Sequence, residues 1–135
     1  MNINEYIFSG IFSHLASYKS ELPQILWPNI VYRDDLPDNY LKVDILPAET
    51  RTVGVSSLNQ HIGIVQIMVN VREDQGAILA AQYADKVLSL FPRNTRINES
   101  GIRINIDKQG YISPAMQNQS WYSVAVSIPY NVIVK

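Results

Sequence analysis

LKVDILP (residues 41–47), AETRTVGVSSLNQ (48–60) and HIGIVQIMVNVR (61–72) follow one another without a break, two strand patterns around a polar segment. In the first, Leu41, Val43 and Ile45 alternate with Tyr40, Lys42 and Asp44, the period of two that a strand buried on one face requires. Pro47 has no amide hydrogen to give and ends the ladder. In the third, Val65, Ile67, Val69 and Val71 make one apolar face, while Ile62, Ile64, Gln66, Met68, Asn70 and Arg72 make the other. That second face is mixed, which predicts a meeting with a partner rather than with water alone. The segment between them is about a dozen residues of low hydrophobicity, longer than most connections, and such loops are functional or disordered.

Working outward, Asn4 is placed to cap a helix in which Ile7, Ile11, Leu15 and Tyr18 share a face, with Ile3 packing ahead of the cap. Gly10 weakens this helix by about 1 kcal/mol relative to alanine, and Phe8 and Phe12 widen its apolar face. Pro23 and Pro28 impose an extended path, residues 30–32 read as a short strand, and a turn follows over 33–39. Asp74 is placed to cap a second helix over residues 75–90, with Ala77, Ala81, Ala84, Leu88 and Phe91 as one stripe and Pro92 closing it. The small residues Ala77, Ala80, Ala81 and Ala84 let that helix sit close to a sheet. Ile102, Ile104 and Ile106 alternate with Arg103, Asn105 and Asp107 as a half-buried strand, and a turn around residues 108–110 predicts a hairpin with the segment that begins at Tyr111.

The last strand, residues 120–134, sets Tyr122, Val124, Val126, Ile128, Tyr130, Val132 and Val134 against Trp121, Ser123, Ala125, Ser127 and Asn131, and Pro129 marks a bulge or an edge in it. Such one-sided alternation predicts an α+β fold in which a largely antiparallel or mixed sheet is covered on one face by the two helices, in one domain over residues 1–135.

Composition agrees with a globular chain. It has 135 residues, 47% hydrophobic and 17% charged, which excludes global disorder and suits one domain. The low charge favours an oligomer. A formal net charge of −1 gives no electrostatic case for wrapping nucleic acid, which needs clustered Lys and Arg. With no cysteine, disulfides and thiolate metal sites are both excluded. The opening residues lack the basic leader and apolar core of a signal peptide, and no run approaches the roughly 20 apolar residues of a membrane span. The expected place is the cytoplasm, with no membrane association.

Catalytic chemistry is hard to build from these residues. His14 and His61 have no carboxylate or second histidine at metal-ligand spacing, and they read as core or surface histidines. No G-x-S-x-G elbow and no glycine-rich phosphate cradle occurs. Asp34, Asp35 and Asp38, with Asp44 beyond them, are the residues whose carboxylates could hold Mg²⁺ for phosphodiester cleavage, which keeps a small metal-dependent nuclease as the alternative enzyme reading. They fail as a calcium loop, since Leu36 or Pro37 falls at the third position, and Asp, Asn and Pro are also what a turn requires. No metal or cofactor is expected. Arg93, Arg96 and Arg103 read either as a local basic patch or as a solvated loop end, and the second reading is preferred. Trp121 and Tyr122 point to opposite faces, so one of them joins the core and the other is an interface anchor or a rim residue.

The segment ILPAETRTVGV, then HIGIVQIMV, a helix, FPRNTRI and a final Trp-Tyr strand together resemble the small tail-terminator-like proteins of long-tailed bacteriophages and prophages, over most of the chain. The resemblance implies a structural, non-enzymatic assembly protein of the virion tail, put together in the host bacterial cytoplasm. It would form a ring, expected to be hexameric, on the head-proximal end of the tail tube, stop tube growth and present a head-joining surface. Its partners would be itself, the tail tube protein and a head-completion or connector protein, with DNA only as cargo passing through the lumen. On that reading Glu49 and Arg51 offer charge complementarity, Val53 and Val55 offer apolar contact from a loop that becomes a strand arm, and Gln66, Met68 and Trp121 serve the interface. Head-to-tail connector or neck proteins are a close variant. A monomeric binding module that recognises a protein through the mixed face is the remaining reading.

Overall fold

The computed structural model describes residues 3–28, 39–48, 50–53, 58–72, 76–118 and 121–134. Helix α1 (Ile3–Ala16) is followed by one turn of 3-10 helix (Lys19–Glu21) and by β1 (Gln24–Leu26). Next come β2 (Asn39–Pro47), β3 (Arg51–Val53), β4 (Leu58–Arg72) and helix α2 (Ala77–Ser89). The chain finishes with β5 (Thr95–Glu99), β6 (Ile102–Ile106), β7 (Tyr111–Ile112), β8 (Met116–Asn118) and β9 (Trp121–Val134). All the strands join one sheet in the order β1-β2-β4-β9-β6-β5, with β3 on β4 and with β7 and β8 on β9. The β1–β2 pair is parallel and the others are antiparallel. The architecture is the α+β one that alternation in the sequence predicts.

The core lies between the helices and one face of the sheet. Leu41, Val43 and Ile45 of β2, Val65, Ile67, Val69 and Val71 of β4, and Val124, Val126, Ile128, Tyr130 and Val132 of β9 are buried there, as their alternation requires. Ile7, Ile11 and Leu15 meet this core from α1. Gly10 is buried in the same helix, and a Cβ there would lie 2.8 Å from Ile104 Cδ1 and 3.1 Å from the Glu99 Cβ. Its helix-weakening effect is therefore offset by close approach to the β5–β6 pair. His14 Nε2 donates to the Leu90 carbonyl at 2.7 Å, with its ring 4.9 Å from that of Phe91, which ties α1 to the end of α2.

Several expectations are corrected. Asn4 lies inside α1, not ahead of it. Asp74 falls outside the described residues, and the residue preceding α2 is Gly76, at φ 89° and without a side-chain cap. The buried stripe of α2 is Ala80, Ala84 and Val87, while Ala77 and Ala81 are exposed and Leu88 is half-buried. Alanine is small enough to suit either side of a helix, so the stripe is set by Val87 and by Leu79 and Tyr83, which pack against the core. Residues 58–60, read as loop, are the first residues of β4 and pair with β3 and with the end of β9. The strand expected over 30–32 and the Asp34–Asp35–Asp38 turn lie outside the described residues.

Residues 95–99, given no element in the sequence reading, form β5. They make a hairpin with β6 through Ser100 and Gly101, at φ 49° and 88°, and the Glu99–Ile102 pair closes it. Two consecutive positive φ values belong to the tight hairpin turn that matches strand twist. The hairpin expected after β6 does not form, and β7 instead pairs with β9 at Ser127 and Val126. Pro129 sits opposite Ile64 of β4. On its other side the β9 ladder is interrupted between Ser127, paired with β7, and Asn131, paired with β6. A residue without an amide hydrogen suits that gap.

Candidate assembly surface

The outward residues of β2, β4 and β9 form rows across the sheet. Register aligns Tyr40, Asn70, Ser123 and Met116 in one row and Lys42, Met68 and Ala125 in the next. Asp44, Gln66, Ser127 and Tyr111 follow, and then Leu46, Ile64 and Pro129. The first rows line an open trough of about 480 Å³, with Met116 and Gln117 of β8 on one side and Tyr40, Lys42 and Asp44 of β2 on the other.

This surface is ordered by its own hydrogen bonds. Ser123 Oγ donates to Asn70 Oδ1 at 2.6 Å, and Asn70 Nδ2 donates to the Met68 carbonyl at 3.2 Å. Asn70 is buried, so both of its bonds offset the cost of removing an amide from water. At the upper end the Arg72 guanidinium carbon lies 4.2 Å from the centroid of the Trp121 ring, and Tyr40 meets the same ring edge-on at 5.0 Å. This is the geometry of a cation–π contact. Burial pushes the Tyr40 phenol above its usual value, and the Arg72 charge partly opposes that shift. At the other end Asn131 Nδ2 donates to Asp107 Oδ2 at 2.7 Å, and Arg96 pairs with Asp107 at 3.0 Å.

Gln66, Met68 and Trp121 therefore stand on one face, half-buried. Glu49 and Val55 lie outside the described residues. Arg51 and Val53 belong by backbone to β3, opposite Gln60 and Leu58, and their side chains lie outside the described set. Asp44 stands in the row with Gln66, and among the described residues no three His, Asp or Glu side chains group as metal ligands. Arg96 is engaged by Asp107, and Arg103 Nε donates to Asn98 Oδ1 at 3.4 Å, so these two arginines serve local pairs. The sequence reading missed Met116 and Gln117 because β8 is too short to show a period.

Fold and face together define an α+β protein whose distinctive exposed feature is a broad, partly apolar sheet surface. The chain belongs to the phage tail terminator protein family, whose family model matches residues 8–130. That is a family of structural proteins of the virion tail. No curated protein matches the chain. One solved structure, 21% identical, superposes with a TM-score of 0.79 over 96% of this chain and 94% of its own, a likeness that speaks for the fold. Among the described residues no helix is long and apolar enough to cross a membrane.

Proposed function

We propose that residues 1–135 fold as one domain, and that copies close into a ring, hexameric like the tube it caps, at the head-proximal end of a tail tube. The ring stops tube growth and offers the surface to which a head-completion protein joins, with DNA passing through as cargo. Membership of the terminator family over residues 8–130 carries this reading. The uncovered sheet face supports it, because Met68, Met116 and Trp121 are residue types enriched at interfaces and their ordered polar neighbours keep the face from being plain solvent surface. On this reading Gln66, Met68 and Trp121 belong to the contact between copies. The segment from Glu49 to Val55, whose middle pairs with β4 as β3, reaches the tube or the neighbouring copy. The proposed site of assembly is the host cytoplasm.

The test is molar mass by light scattering over a concentration series, with negative-stain imaging of the protein alone and with purified tail tubes. Rings, or caps confined to one end of the tubes, are the expected result. A monomer of 15.3 kDa at every concentration that also leaves tube ends bare and tube growth unchanged sinks the proposal.

A further inference from the structure

We propose that the trough on the open sheet face of one copy receives helix α2 of the next copy, so that the ring closes by stacking helix layer onto sheet; this rests on the ring reading above. The floor of the trough is low on its β9 side, because the one β9 side chain that lines it is the small Ser123. Met116 stands beside it at 57% exposed, an unusual position for a large apolar side chain. A low floor with a raised rim accepts a rod.

The two helices offer different rods. The exposed residues of α1 are Asn4, Glu5, Ser9 and Ser13, all polar. Those of α2 are Ala77, Ile78, Ala81, Gln82, Asp85 and Ser89, with Ile78 76% exposed, the most exposed of the large apolar side chains described. Its neighbours Ala77 and Ala81 let the helix lie close to whatever it meets, as small residues do wherever backbones approach.

Charge agrees with this pairing. Asp85 is the one charged residue of the exposed α2 stripe, and the neighbouring Lys86 is held aside by Glu21 at 3.2 Å. On the trough side Lys42 is exposed while Asp44 is half-buried, so the ammonium is the charge held out to a partner, and neither Lys42 nor Asp85 has an ion pair among the described residues. Because α2 covers the opposite face of the sheet, one copy cannot place its own Ile78 in its own trough. Two unlike patches on opposite sides of a molecule make a head-to-tail contact, which forms a ring when its rotation closes.

The chain has no cysteine, so engineered pairs report contact cleanly. With Ile78→Cys and Met116→Cys in one chain, oxidation of the assembled protein, on tail tubes if tubes are needed, should give a ladder of disulfide-linked copies that neither single variant gives. Ile78→Glu and Met68→Glu should each abolish rings while circular dichroism stays that of the parent. An equimolar mixture of the two should yield a heterodimer, since one intact trough and one intact helix remain. Rings that survive Ile78→Glu, or wild-type rings whose double-cysteine form gives no ladder, overturn this interface and leave the ring reading standing. Wild-type protein that never assembles, with or without tubes, overturns both.

Discussion

The two faces of β2, β4 and β9 are made from the same strands, yet they hold different chemistry. The inward residues are almost all branched aliphatics, and each of Leu41, Val43, Val65, Ile67, Val69, Val71, Val126 and Ile128 is fully buried. The outward residues mix Lys42, Asp44, Gln66, Met68, Asn70, Ser123 and Trp121, several held by mutual hydrogen bonds or ring contacts. A strand's period of two lets adjacent positions answer to separate environments, so the fold can be secured by one set of residues while the other is free for contact.

The sharpest way to break that comparison is to truncate neighbours in one strand. Ile67→Ala should cost about 2–5 kcal/mol, as buried isoleucines do, because Ile67 is 0% exposed in the middle of the core. Met68→Ala, one residue on, should cost the monomer roughly 0.5 kcal/mol or less. Urea unfolding of both variants measures the difference, and equal losses would mean that the outer face is part of the folding core.

A smaller effect is expected at the one inward position of β4 that carries no side chain. Gly63 pairs with Tyr130, and a Cβ there would lie 2.5 Å from the tyrosine oxygen and 2.8 Å from the Leu46 carbonyl. The carbonyl is backbone and cannot swing away, so Gly63→Ala should destabilise by about 1–3 kcal/mol through overpacking. An unchanged urea midpoint would show that the Tyr130 ring does not depend on the bare backbone beneath it.

The inner face was legible because period-two alternation is strong over long strands, and Leu41 to Ile45 and Tyr122 to Val132 are placed as their spacing requires. The mixed character of Gln66 and Met68 was legible for the same reason. What escaped reading was short or small. β5 has a single apolar residue, Ile97, and β8 has three residues in all, so neither shows a period; the Ser100–Gly101 turn competed with a second turn signal at 108–110, and an alanine-rich helix does not declare which side is buried. The trough escaped too, because it needs the β8 segment brought beside β2 across two intervening strands.

The faces should also differ in alkali. Burial alone raises the Tyr130 phenol above its ordinary value of 10.0, whereas at Tyr40 the nearby Arg72 works against the rise. A phenol whose folded value exceeds its unfolded one contributes stability that is present below the unfolded value and lost as pH climbs through the folded one. Stability should therefore fall from about pH 10 upward. Tyr130→Phe should flatten that fall more than Tyr40→Phe, read from urea midpoints between about pH 9 and about pH 11. A larger flattening in the Tyr40 variant would reverse the assignment of the two environments.

The smallest effect belongs to the rim of the helix layer, where two ties join the N-terminal segment to α2. One is the half-buried His14 bond to the Leu90 carbonyl, backed by the Phe91 ring. The other is the Lys86–Glu21 pair at 3.2 Å, whose side chains are 38% and 51% exposed. Solvent screens such a pair and holding two long side chains costs entropy, so Glu21→Gln should change stability by about 0.5 kcal/mol or less. That small change should vanish at about 1 M salt, where the screening length is only about 3 Å. If the loss instead approaches that of Ile67→Ala, the helices are held over the inner face by charge at their edge rather than by the side chains beneath them.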